Sequence, residues 1–161
     1  VSPWFSVLVG VAVIALSMVG GFFLTFSDFL MRALRMARVE AGVEVMQLIN
    51  REVWRSITIV LLWGSVGLTV LVGAGAVATN VQRVPLALLT TGATVHVLGG
   101  LVVSYAHNLP MNERLASMEP SDAATYWTSE YVEVWVRWNS VRALASVVAA
   151  TCFLLALLQG G

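Results

Sequence analysis

The chain has 161 residues, of which 58% are apolar and only 11% charged, and its mean hydropathy is +0.84. A soluble domain carries roughly 25% charged residues, so this composition excludes an ordinary water-solvated globule and asks for lipid as solvent. Nine arginines balance nine acids and there is no lysine, which excludes a basic nucleic-acid footprint and Schiff-base chemistry; one cysteine and two histidines exclude an intrachain disulfide, a thiolate zinc site and a multi-histidine metal site.

Charge is absent from residues 1–27, 56–82, 84–112 and 143–161. A membrane helix needs about 20 mostly apolar residues. The first three runs exceed that, and the fourth reaches it if Arg142 snorkels towards the headgroups. The first helix starts at Pro3, a favoured first-turn residue, and its pattern continues past the charge boundary, giving a span over 4–31. It is too long for the apolar core of a signal peptide. The second span is predicted over 53–77, and Thr79 to Arg83 then turns the chain. Pro85 opens the third span, 85–107, which is expected to stop before Asn108-Leu109-Pro110. Met111 to Ser121 is expected to be a loop. Ser121 and Asp122 carry helix-start signals for a last helix over 123–158, with its membrane part from residue 139. Residues 1–161 therefore form a single all-α domain, a transmembrane four-helix bundle, because helices satisfy their own backbone polar groups in lipid.

Four spans put both termini on one face. The first and third connections, with the ends of their helices, carry Arg32, Arg35, Arg38, Arg51, Arg55, Arg114, Arg137 and Arg142, and the opposite face carries only Arg83. By the positive-inside rule the long connections are cytoplasmic and both termini lie outside. This is the expected topology of a multi-pass protein of a bacterial inner membrane.

Polar residues in a membrane bundle are functional candidates by default, and here they gather at the arginine-rich end. The first helix places Ser17, Gly21, Thr25, Asp28 and Arg32 on one stripe. Gln47, Asn50 and Arg51 share a helical face before the second span. Asn108 and Asn112 follow the third. On the fourth, Trp127, Tyr131, Trp135, Trp138 and Arg142 fall within one quarter of the helix, with Asn139 at its edge. These segments are expected to meet in one pocket with an aromatic wall, amides and an Arg–Asp pair. The plainer alternatives are an interfacial aromatic belt, an i,i+4 ion pair between Asp28 and Arg32, and amides acting as helix glue.

His96 stands apart, in mid-span on a face with Gly92, Gly99 and Gly100. It reads either as a satisfied core histidine or as an axial ligand to a haem. His96 and His107 cannot both bind one haem, being about 16 Å apart along the axis at 1.5 Å per residue. No metal, haem or other cofactor is expected.

The stretches Phe26 to Arg32, Met46 to Arg51, Asn108-Leu-Pro-Met-Asn112 and Trp135-Val-Arg-Trp-Asn139-Ser-Val-Arg142 resemble the bacterial branch of the anthrone oxygenase-like integral membrane family. The resemblance covers nearly the whole chain in order. It implies a four-helix membrane protein and the conversion of an anthrone to an anthraquinone with molecular oxygen, without an established metal or flavin. Carried over by position, the implied polar residues are Asp28, Gln47, Asn50, Asn108, Asn112, Asn139 and Arg142. The chain departs from many bacterial members at Ser140, where they have His.

Two function classes follow. The first is an oxidoreductase acting on a flat, phenolic, lipid-soluble substrate at the cytoplasmic end. Asp28 would be the base and Arg142 would hold the oxyanion, with Asn139 as the third catalytic candidate; Trp127, Trp135 and Trp138 would stack the rings, and Gln47, Asn50, Asn108, Asn112 and Tyr131 would complete the substrate-binding set. The second is a non-catalytic membrane subunit, in a homo-oligomer or a larger complex, or a small-molecule or haem-binding module. In both classes the lipid bilayer is a partner and nucleic acid is not.

Overall fold

The computed structural model describes residues 2–79 and 81–159. The charge-free runs fold as four helices long and apolar enough to cross a membrane: α1 (Pro3–Met36), α3 (Ile57–Ala78), α4 (Arg83–Ala116) and α5 (Ala124–Gln159). Between the first two lies α2 (Val39–Glu52), a separate amphipathic helix with Gly42, Val43 and Met46 buried. No strand occurs among the described residues. Ser2 caps α1, its hydroxyl accepting from the Phe5 amide, with Pro3 in the first turn.

The membrane helices form a ring in chain order. α1 packs on α3 and α5, and α4 packs on the same two, which leaves α1 opposite α4 and α3 opposite α5. The α5 side is tight. Its buried face is mostly small, with Ala143, Ala145, Ser146, Ala149 and Ala150, so neighbouring backbones approach closely. A Cβ on Gly92 of α4 would come within 2.9 Å of the Phe153 ring. The α3 side is loose at one end. Its buried residues begin only at Ser65, and Ile57 is 82% exposed. The first turn of α3 therefore stands off the bundle at the arginine-rich end, and Leu61 and Leu62 bring the helix back onto Val19, Phe23 and Ala143.

α2 closes that end. Gln47 Nε2 donates to the carbonyls of Leu115 and Met118, both at 2.8 Å. The Leu115 carbonyl is in the last turn of α4 and the Met118 carbonyl in the turn that follows it. One amide thus ties α2 across the bundle.

Three of the spanning helices contain π-helical turns: Phe26–Leu30 in α1, Val97–Val102 and Ser104–Asn108 in α4, and Trp127–Tyr131 in α5. They explain where the structure departs from the sequence expectation. α4 does not stop before Asn108-Leu109-Pro110 but runs on to Ala116, so Met111 to Ala116 is helix rather than loop. The wide turn closes with the Leu109 amide on the Ser104 carbonyl, and Pro110 follows in the first turn of the resumed α-helix, where a missing N–H is tolerated. Likewise α1 runs to Met36 rather than residue 31. α3 starts at Ile57 rather than 53, after a short 3₁₀ turn at Val53–Arg55 and an extended Ser56.

Candidate functional site

The standing-off of α3 leaves a cavity of about 490 Å³ in the arginine-rich half of the ring. Phe22, Phe23 and Phe26 of α1 wall one side, Leu62 and Trp63 of α3 another, and Trp135 of α5 a third. Gln47 and Asn50 of α2 reach it from the arginine-rich end. A mostly apolar chamber with a few convergent polar groups is the usual form of a small-molecule site.

The polar groups fall into two layers. The outer layer is Asn112, whose Oδ1 accepts from Tyr131 Oη at 2.8 Å and from Trp135 Nε1 at 2.7 Å. Asn50 Nδ2 in turn lies 3.4 Å from Tyr131 Oη. This network holds Trp135 in place, 5.8 Å from Phe26 between ring centres. Behind it Trp127, Tyr131 and Trp135 form a buried column, with ring centres 5.4 and 6.3 Å apart.

The inner layer is Asn139, Arg142 and His96. Asn139 Nδ2 donates to the Phe23 carbonyl at 2.7 Å and to Ser27 Oγ at 2.8 Å, bridging α5 to α1. Its Oδ1 is buried without a partner. The Arg142 guanidinium lies over the Phe23 ring, 3.9 Å from its centre. Arg142 Nε is buried without a hydrogen bond, and none of the ion pairs among the described residues includes Arg142. His96, 1% exposed, sits between two hydroxyls: Ser65 Oγ of α3 is 3.2 Å from Nε2 and Ser146 Oγ of α5 is 3.5 Å from Nδ1. Haem ligation through Nε2 would require Ser65 to leave, so these residues do not fit an axial haem site. Among the described residues no group of three or more His, Cys, Asp or Glu could hold a metal ion.

Of the eleven residues expected to have catalytic or substrate-binding roles, six line this one cavity: Gln47, Asn50, Asn112, Trp135, Asn139 and Arg142. Five do not. Asp28 points away from it, with its side chain 66% exposed and 3.6 Å from Arg32 in an i,i+4 ion pair. The whole α1 stripe of Ser17, Gly21, Thr25, Asp28 and Arg32 is exposed. Ser17 and Thr25 satisfy their hydroxyls on the carbonyls one turn back, so they need no partner helix. Asn108 is buried behind the wall, donating to the Trp135 carbonyl at 3.2 Å. Trp127 and Tyr131 support Trp135 from behind. Trp138 stacks on His107 instead, ring centres 3.6 Å apart and planes 3° apart.

Ser140 is also exposed and bonds Ser27 Oγ at 2.9 Å. Phe23, Glu113 and the two serines flanking His96 were not legible as site residues. Phenylalanines in an apolar helix carry no signal of their own, and the serines gain meaning only once α3, α4 and α5 meet.

A family model described as anthrone oxygenase matches residues 52–152. The match includes His96, Asn112, Trp135, Asn139 and Arg142 of the cavity. No curated protein matches, and no solved structure does. The family match spans more than half of the chain, over three of the four helices that enclose the cavity, and on that ground this four-helix membrane protein belongs to the anthrone oxygenase family.

Proposed function

We propose that the chain is a membrane oxidoreductase that binds a flat, phenolic, lipid-soluble substrate of the anthrone class in this cavity and oxidises it with molecular oxygen. The observation that carries the reading is Arg142, a partly buried arginine with its Nε buried and unpartnered and no carboxylate paired with it, in an aromatic-walled chamber. A buried unpaired charge is expensive, and a bound substrate oxyanion would supply the missing counter-charge. Loss of a proton from the anthrone methylene leaves an anion delocalised onto the ring oxygen, which Arg142 would hold. The carbanion adds to O₂, the peroxide takes up a proton, and loss of water leaves the second carbonyl. The balance is anthrone plus O₂ to anthraquinone plus water. The eight-to-one distribution of arginines supports a cytoplasmic location for this end of the bundle, both termini outside, in a bacterial inner membrane.

A non-catalytic subunit or binding module is the competing reading. One observation favours it: Gln47 and Asn112 spend hydrogen bonds on the bundle itself. The test is purified protein in lipid nanodiscs supplied with dithranol, a dihydroxyanthrone. Oxygen uptake and anthraquinone absorbance above the autoxidation rate of empty discs would support the oxidoreductase. Saturable binding without turnover would favour the binding module, and neither binding nor turnover would overturn the proposal.

A further inference from the structure

With Asp28 on the outer face of α1, the oxidation proposed above lacks a proton acceptor. Two titratable groups besides Arg142 supply candidates on the cavity wall in Glu113 and His96. Glu113 is solvent-exposed on α4, a turn beyond Pro110. His96 is buried in the inner layer, within one turn of Arg142 through Ser146, whose hydroxyl donates to the Arg142 carbonyl at 2.9 Å.

The hydrogen-bond count around the ring is informative. A neutral imidazole carries one N–H and one lone pair. Ser65 donates its own hydrogen to the Leu62 carbonyl at 2.8 Å and so presents a lone pair to Nε2, 3.2 Å away. With the Ser65 hydrogen placed on the Leu62 carbonyl, the N–H falls to Nε2. Nδ1 then carries the lone pair, and the nearest hydroxyl, Ser146 at 3.5 Å, has its hydrogen committed to the Arg142 carbonyl. The basic nitrogen has no committed donor. Gly100 completes the arrangement. It also lines the cavity, and a Cβ there would lie 3.4 Å from both Cε1 and Nδ1. The absence of a side chain at Gly100 keeps that residue off the Cε1–Nδ1 edge of a ring that is otherwise enclosed in the cavity wall.

We infer that His96 is the group that takes the substrate's proton, a role that rests on the oxidative reading of the cavity. Nδ1 accepts the methylene proton as the C–H bond breaks. The electron pair passes into the enolate held at Arg142 and then to O₂, the oxidant. The imidazolium returns its proton to the peroxide, whose collapse releases water. Ser65 holds the tautomer that keeps Nδ1 free.

The experiment uses the full chain in nanodiscs with dithranol and reads binding, turnover and melting temperature together. His96→Gln keeps a side chain that can bond both serines but cannot accept the proton. It is expected to lose at least about 100-fold in turnover while dithranol still binds and the melting temperature holds. His96→Ala, which opens space for a small base, is expected to regain turnover when imidazole is added. Turnover by His96→Gln within about threefold of wild type overturns the inference and leaves the oxidative reading intact. Parallel loss of binding, turnover and melting temperature in both variants, without rescue by imidazole, assigns His96 a structural role and also overturns it. Absence of wild-type turnover overturns the oxidative reading and this inference with it.

Discussion

Arg142 and Phe23 face each other across the α1–α5 contact, guanidinium carbon 3.9 Å from the ring centre. A desolvated cation–π contact contributes about 2 kcal/mol, less than the several kcal/mol that burying an ion costs. Arg142→Met, which keeps the length without the charge, is therefore expected to leave stability unchanged or to raise it by about 1–4 kcal/mol. On the oxidative reading it also lowers turnover of dithranol about 100- to 1,000-fold. Thermal melting in nanodiscs and anthraquinone formation measure the two effects separately. A loss of stability above about 3 kcal/mol would instead mean that the charge has a buried partner.

Asp28→Asn tests the converse. Its carboxylate is exposed and paired only with the neighbouring Arg32. An exposed i,i+4 pair contributes about 0.3–0.5 kcal/mol. The variant is expected to melt within a degree or two of wild type and to keep its turnover. A hundredfold loss of activity would return Asp28 to the catalytic role that its sequence position suggests.

Gln47→Leu removes both hydrogen bonds that tie α2 to the end of α4. The expected cost is about 1–3 kcal/mol, since each net bond contributes roughly 1 kcal/mol. The loss should be local. Hydrogen–deuterium exchange is expected to quicken across residues 39–52 and to stay unchanged in α5. Uniform acceleration through the bundle would show that α2 is not a separately tethered element.

Topology is testable with a thiol label. In a Cys152→Ala background, cysteines at Glu40 and Ser117, both exposed, are expected to react only after the inner membrane is made permeable. Labelling of intact spheroplasts at either position would reverse the orientation inferred from the arginines.

The four spans were legible because charge is expensive in lipid and its absence marks a spanning run without any knowledge of packing. Which face of each helix points inward was much less legible. In water a polar stripe marks the outside of a helix; in lipid it is expected to mark the inside. Ser17 and Thr25 break that inference by bonding their own helix, so the α1 stripe that carries Asp28 faces outward. The π-helical turns add a second difficulty. A stripe drawn at 100° per residue loses register when a turn takes in an extra residue. At 100° per residue His96 and His107 would share a face, but one such turn lies between them and His107 sits within a second. His96 lines the cavity while His107 stacks on Trp138. Gln47 and Asn50, on the short and regular α2, both line the cavity as their three-residue spacing predicts.

Ile57 and Val60 in the first turn of α3 are exposed, and this has a consequence for how any ligand of the cavity would be counted. Ile59, Leu62, Trp63 and Val66 line the cavity from a single helix, so on that side one layer of side chains separates the chamber from the acyl chains. An apolar molecule dissolved in the bilayer reaches that wall without crossing water. The concentration that governs occupancy is then its mole fraction in the lipid, which for a flat polycyclic phenol far exceeds its aqueous value. Adding inert lipid at fixed total ligand would dilute it in two dimensions and lower occupancy, although nothing about the protein had changed.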